Sequence, residues 1–226
     1  YRDRGFVPEG LLNYLALLGW SIGDDREIFS LDEMAAAFDV TRVNPNPARF
    51  DPKKAEAING VWLRRLPADQ LAARMVPYLQ AAGLLPSSPS AEQLTVLRAA
   101  TPLVQERMSV LADSAGMLGF LFSDGPALSP DGDAIAAIRT PEAQAALAAA
   151  RDALTDLPDW TTDSIESALR YSLVERLGLK PKHAFGPVRI AVTGRRVSPP
   201  LFESLALLGR ERTLARLATA LAPTRS

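Results

Sequence analysis

Helix punctuation recurs along this chain from end to end, and it constrains the fold more than any other feature. Pro8 with Glu9 opens a helix, since proline at the first helical position gives up an N–H that would be unpaired anyway. The apolar stripe of that helix reads Leu11, Leu12, Leu15 and Leu18, and Gly19 closes it. Ser30 with Glu33 forms a capping box for residues 31–38. Asp51 before Pro52 starts a third helix, on which Ala55, Ile58, Val61 and Trp62 share a face. Pro67 and Asp69 start a fourth, with Leu71, Met75, Tyr78 and Leu79 inward. Ser90 with Gln93 caps a fifth, which Pro102 kinks or splits before it resumes through Val104, Met108 and Leu111. Thr140 with Pro141 introduces an alanine-rich helix, and Asp163 with Glu166 one that carries Ile165, Leu169, Leu173 and Leu177 before Gly178. Near the end, Ser198 as N-cap, Pro199 at the first position and Gly209 past the last turn frame another. The expected fold is all-α.

Composition supports this. Hydrophobic residues make up 47% of the chain but aromatics only 7%, which suits leucine- and alanine-rich helices better than β-sandwiches. PVRIAVTG, residues 187–194, alternates like a strand, with Val188, Ile190 and Val192 on one side, but no partner strand is evident. Zero cysteines exclude disulfides and thiolate chemistry, and a single histidine leaves no histidine-based metal site. A reducing, cytoplasmic setting is compatible with that usage. No apolar run approaches the roughly 18 residues that span a bilayer and no signal-peptide pattern opens the chain, so no membrane partner is expected.

A length of 226 residues fits two or three small units. GLLPSSPS, residues 83–90, and SDGPALSPDGD, residues 123–133, are the two joints richest in turn formers. The expected division is a connector over 1–66, a helical domain over 67–130 and a second helical domain over 131–226. The net charge of −1 argues at first against a nucleic-acid partner. Its distribution points the other way: residues 1–66 carry 9 basic and 10 acidic side chains, 67–157 carry 5 and 10, and 158–226 carry 11 and 6.

The basic share therefore surrounds one segment, FGPVRIAVTGRRVSPPLFESLALLGRERTLARL, residues 185–217. A helix start just after Arg195 and Arg196 would offer backbone N–H groups and the positive end of a helix dipole to phosphate or to base acceptors, which makes those two arginines candidates for nucleic-acid backbone contact, with an ordinary capped helix as the alternative. The other candidates for chemistry are weak. His183 lies beside Lys182 with no second histidine and no cysteine, and reads as a solvated loop residue. Asp24 with Asp25 and Asp131 with Asp133 lack calcium-loop spacing and read as turn and cap residues. Trp62 and Trp160 read as core or semi-core anchors. No nucleophile and base pair is evident, and no catalytic or metal-binding residue is expected in these residues.

The same segment resembles the end of bacterial glutamyl-tRNA synthetases, whose last domain carries a phrase PxRxAxTGxxxSPxLFExLxLLGxERxLxRL. Pro187, Arg189, Ala191, Thr193, Gly194, Ser198, Pro199, Leu201, Phe202, Glu203, Leu207, Leu208, Gly209, Glu211, Arg212, Leu214, Arg216 and Leu217 fill it. YRDRGFVPEGLLNYLALLGWS, residues 1–21, resembles the stretch just after the KLSKR signature loop of that family, and FDPKKAEAINGVWLR, residues 50–64, its next landmark. The resemblance implies helix across 187–194, a connector that touches the inside of the tRNA L-shape, and two helical anticodon-binding domains. Neither a HIGH-type nor a KLSKR-type signature occurs, and the chain starts at Tyr1. The expectation is a fragment without its catalytic domain. The parent enzyme would use ATP and Mg²⁺ to attach glutamate to its tRNA, while the fragment itself, as a monomer, would bind glutamate tRNA, and glutamine tRNA as well if the parent charges both.

By the same resemblance, the anticodon-reading positions fall on Arg107 in LVQERM, Arg170 in ALRYSL, Arg189 in PVRIAV, and Ser198, Pro199 and Leu201 in SPPL. Guanidinium suits that task, being planar, permanently charged and bidentate toward the edge of an unstacked base. The family usually has threonine where Ser198 stands, so the hydroxyl is kept and a methyl is lost. Arg170 lies one residue out of register with the family pattern unless the loop before Arg189 carries an insertion. A helical protein-interaction module without RNA binding is the alternative reading, and a stand-alone all-α enzyme a more distant one.

Overall fold

In a computed structural model of the chain, residues 1–23, 25–45, 48–123 and 132–222 are described. Asp24, Asp131 and the expected boundary at 130/131 lie outside the described residues. Among the described residues the chain forms α1 (Pro8–Leu17), α2 (Leu31–Ala37), α3 (Pro52–Arg65), α4 (Ala68–Ala81), α5 (Ala91–Gln105), α6 (Asp113–Phe122), α7 (Gly132–Ile138), α8 (Pro141–Thr155), α9 (Thr162–Leu169), α10 (Pro181–Thr193), α11 (Leu201–Leu208) and α12 (Arg210–Leu221). A 3₁₀ turn over Val40–Arg42 and a π-helical segment over Arg170–Arg176 complete the described regular structure, and no strand occurs in it. Two compact units result. The first comprises 1–90 and 101–116, the second 91–100 and 117–226.

Local capping in the first unit follows the sequence closely. Ser30 Oγ accepts from the Glu33 N–H at 3.1 Å while Glu33 Oε2 accepts from the Ser30 N–H at 2.7 Å, so both arms of the box form. Asp51 Oδ1 accepts from the N–H groups of Lys53 and Lys54 at 2.9 and 3.3 Å, relieving the orphan donors at the start of α3. Packing follows a different logic. Of the expected stripe, Leu11 and Leu18 are half-buried against the core around Phe6, Tyr14, Ala55 and Ile58, but Leu12 and Leu15 are exposed by 43% and 44%, and the residues that α1 buries fully are Gly10, Asn13 and Tyr14. The cause is the approach of α1 to α3. A Cβ on Gly10 would sit 2.6 Å from Asn59 Oδ1, so only glycine lets the two helices meet there. Asn59, fully buried, accepts from the Val7 N–H at 2.9 Å and donates to the Ser109 carbonyl at 2.6 Å.

Two further expectations are corrected. Helix α5 runs unbroken past Pro102 and stops at Gln105, so Met108 and Leu111 lie beyond it, though both are buried. There Gln105 Nε2 donates to the carbonyls of Leu63 and Leu66 at 3.0 and 2.8 Å, and Asp113 Oδ2 accepts from the N–H groups of Ser109 and Val110. These side chains hold a turn that helical periodicity does not reveal, and α6 comes after it.

In the second unit, α8 packs against α9, α10 and α12 through Ala143, Ala146, Leu147, Ala150 and Leu154, small and large residues that allow close helix approach. Thr140 caps it, its Oγ1 accepting from the Ala143 N–H at 3.2 Å. The cap of α9 is Thr161, whose hydroxyl accepts from the Ser164 N–H, and not Asp163. Ile165, Leu169 and Leu173 are fully buried, but the wider π-helical turns after Leu169 break the 3.6-residue register and leave Leu177 exposed. Residues 187–193 are helical. Val188, Ile190, Ala191 and Val192 are all buried, so the apparent two-residue alternation reflects a helix covered on most sides.

Candidate nucleic-acid interface

Four of the six expected anticodon-reading residues, Arg189, Ser198, Pro199 and Leu201, flank the loop between α10 and α11. Gly194 takes φ 74° and ends α10, a left-handed conformation that favours glycine. Helix α11 then begins at Leu201 behind Pro200, and Ser198 is not its N-cap. Two successive prolines explain the correction: Pro200 disfavours helical backbone at Pro199, so the helix cannot start there. The Ser198 hydroxyl instead accepts from Arg189 Nη1 at 2.7 Å and donates to the Pro199 carbonyl at 2.9 Å. Arg189 Nη1 also donates to that carbonyl at 2.9 Å. Ser198, Pro199 and Leu201 are buried, Arg189 is half-buried, and Arg195, Arg196 and Val197 between them are exposed. Thr193 Oγ1 donates to the Arg189 carbonyl at 2.8 Å and accepts from the Arg195 N–H at 3.3 Å. Four of the sequence-derived positions thus meet around one small loop, with their polar groups oriented by one another.

Arg170 stands at the start of the π-helical segment, ion-paired to Glu166 at 2.6 Å. Its guanidinium carbon lies 5.7 Å from the ring centres of both Phe185 and Phe202, which contact each other edge to face at 5.3 Å. Neither phenylalanine is among the expected anticodon-reading positions, although Phe202 belongs to the family phrase. The spacing Phe185 to Arg189, one helical turn, and the position of Phe202 directly after Leu201 were available signals. Together they form a cation–aromatic cluster of the kind that holds a guanidinium in one orientation. Arg107, in the first unit, is exposed in the turn after α5 rather than on a helix face.

Not all of the basic share after residue 158 is turned outward. Arg216 is 4% exposed and donates to the carbonyls of Val192, Phe120 and Ser123 at 2.6, 2.8 and 2.9 Å. Burial, and after it the charge of Arg212, pushes its pKa down to about 10, which leaves it charged at neutral pH. Arg212 donates to the carbonyls of Leu121 and Ser123. Arg210 bonds the Leu157 carbonyl and lies over Trp160, whose Nε1 donates to the Leu205 carbonyl. These three arginines hold the fold, whereas Arg176, Lys180, Lys182, Arg195 and Arg196 are exposed. His183 lies in the first turn of α10, not in a loop, with Nδ1 3.6 Å from Glu142 Oε1. Trp62 and Trp160 are half-buried anchors, and Trp62 Nε1 donates to Asn13 Oδ1. Among the described residues no three His, Asp or Glu side chains gather as metal ligands, and no helix is long and apolar enough to cross a membrane.

Residues 70–221 match the family described as anticodon binding domain. Residues 1–57 match the catalytic domain of class I tRNA synthetases of the E and Q type, so most of the stretch expected as a connector falls within a match to that family. Glutamate–tRNA ligases of Kineococcus radiotolerans and Saccharopolyspora erythraea are 62% and 58% identical, each over 96% of this chain and 43% of their own length. The chain thus spans less than half of the curated relatives it matches. A crystal structure of a glutamate tRNA ligase from Elizabethkingia meningosepticum in complex with its amino acid aligns with TM-score 0.81 and 26% identity, covering 98% of this chain and 42% of that one.

Proposed function

The chain belongs to the anticodon-binding-domain family, and from that premise we propose that it is the tRNA-reading part of a glutamate–tRNA ligase. The observation that carries the reading is the Arg189–Ser198–Pro199 network, a half-buried guanidinium fixed at the base of an exposed basic loop. Sequence-specific RNA recognition targets unstacked bases in single-stranded loops, and an anticodon is such a target. Arg107, Arg170, Arg189, Ser198, Pro199 and Leu201 are the proposed readers, with Arg195 and Arg196 on the RNA backbone. Residues 1–66 act as the stem-contact connector, and 67–130 and 131–226 as the two helical parts that reach the anticodon. The longer enzyme activates glutamate with ATP and Mg²⁺ in the cytoplasm and transfers it to the tRNA 3′ end, while this chain binds as a monomer and does not catalyse.

Titration with glutamate tRNA at several salt concentrations tests the reading. Affinity should fall as salt rises, because exposed basic side chains displace counterions from phosphate. Absent or salt-independent binding would favour a helical protein-interaction module. Mixing the pure chain with ATP, glutamate and tRNA should yield no charged product. In the full-length ligase, Arg107→Gln should weaken discrimination between the cytosine-ending glutamate anticodon and the guanine-ending glutamine anticodon by ~1–3 kcal/mol, the scale of one bidentate base contact. An unchanged ratio of charging rates for the two tRNAs would remove Arg107 from the readers.

A further inference from the structure

Arg216 is a buried cation that makes no ion pair with a carboxylate among the described residues. Its acceptors are the ends of two helices. Nη2 bonds the carbonyls of Phe120 and Ser123 and, at 3.2 Å, the Ser123 hydroxyl at the end of α6, while Nη1 bonds the Val192 carbonyl in the last turn of α10. Helix C-termini carry unpaired carbonyls and the negative end of the dipole, so one guanidinium satisfies both. Arg212, one turn earlier on α12, bonds the same end of α6. An aliphatic side chain here would leave several carbonyls unsatisfied, and a burial this complete is costly for a charge unless such acceptors surround it.

The position of Val192 gives this clamp a consequence for the loop. One residue later, Thr193 and the left-handed Gly194 begin the excursion that carries Arg195, Arg196 and Ser198, and three residues earlier Arg189 fastens its far end at Ser198 and Pro199. Arg189 holds the loop's exit and Arg216 the helix end from which it departs. We infer that Arg216 is a positioning residue for anticodon readout, setting the end of α10 from which Arg189 and the 194–200 loop are presented. The inference rests on the anticodon reading above. Arg216 itself, 4% exposed, does not touch RNA.

The test titrates this chain, as wild type, Arg216→Lys and Ser123→Ala, with glutamate tRNA and with the same tRNA carrying three changed anticodon bases. Lys keeps the charge but cannot span all four acceptors, and Ser123→Ala removes only a hydroxyl from the same guanidinium. With melting temperature and circular dichroism confirming a folded protein, Arg216→Lys should weaken binding of glutamate tRNA on the order of tenfold, the scale of one lost base contact. Binding of the anticodon-changed tRNA should weaken clearly less, because it loses only what Arg195 and Arg196 on the same loop contribute to phosphate contact. Ser123→Ala should show the same pattern at smaller size, and it decides the matter if Arg216→Lys does not fold. Equal weakening toward both tRNAs, or no change toward either in a folded variant, overturns the positioning role and leaves Arg216 as a core residue. Wild-type protein that binds neither tRNA, or both alike, overturns the anticodon reading itself and the positioning role with it.

Discussion

The two compact units bury different chemistry. In the first, α4 buries Leu71, Met75 and Leu79, but where α1 meets α3 the interior holds amides and a glycine, Asn13, Asn59 and Gly10, and the amide hydrogen bonds join α1 and α3 to loops far away in the chain. Its apolar residues are correspondingly less used. Of the eleven large hydrophobic residues that are exposed among the described ones, seven lie between Tyr1 and Val43. All seven fall within the residues that match the synthetase catalytic domain. The second unit is built from leucine and alanine stripes around α8, with arginines closing helix ends. Apolar periodicity is therefore a sound guide to the core where helices pack on helices. It misleads where a polar side chain has been placed inside to satisfy backbone.

Substitutions in each unit test that contrast. Leu205→Ala, at a fully buried leucine of α11, should cost about 3–4 kcal/mol in urea unfolding, within the range for truncating a core leucine. A loss below about 1 kcal/mol would deny the second unit its apolar core. Gly10→Val should cost about 3 kcal/mol, since its side chain meets the Asn59 side chain and Cα, the latter 2.8 Å from the added Cβ. Asn59→Ala should cost about 2 kcal/mol by stranding the Val7 N–H and the Ser109 carbonyl, and an unaffected protein would show that water replaces the amide.

Smaller effects belong to the surface. Arg74 donates to both carboxylate oxygens of Glu9 at 2.9 and 3.1 Å and holds its pKa below the ordinary 4.5. A carboxylate with a lowered folded pKa stabilises the fold above its unfolded value and loses that contribution as pH falls through the folded one. Wild type should thus exceed Glu9→Gln by about 0.5–1 kcal/mol at pH 7, a modest figure because both partners are about one-third exposed. The gap should close as pH drops below 4.5, and a gap that persists at pH 3 would assign it to packing. Leu12→Gln should change the stability of this chain by no more than about 0.5 kcal/mol, whereas a leucine in a true stripe would cost several times that.

Legibility varied by residue in a regular way. The capping box at Ser30, the caps at Asp51 and Thr140, and the stop at Gly209 could be read because each depends on side chains within a few positions of the backbone they serve. Ser198, expected both as an N-cap and as an anticodon-reading position, is no cap, and its hydroxyl instead accepts from Arg189 nine residues away. Phe185 and Phe202 lie 17 positions apart, so no periodicity pairs them edge to face, and only the place of each near an expected reader points to them in the sequence. The arginines after residue 158 looked alike in a charge count, and only folding divided them into exposed cations and internal clamps.

Residue order alone fixes the all-α class, most helix starts and the cluster of arginines around the α10–α11 loop, because helix signals and charge are written over short spans. Tertiary packing selects which face of α1 is buried, where the fifth helix ends, and which arginines meet solvent. Each of those depends on what a backbone carbonyl or N–H finds opposite it. Arg216 needs the ends of α6 and α10 together before its charge can be buried, and its acceptors there, Phe120 and Val192, lie 96 and 24 residues away from it along the chain.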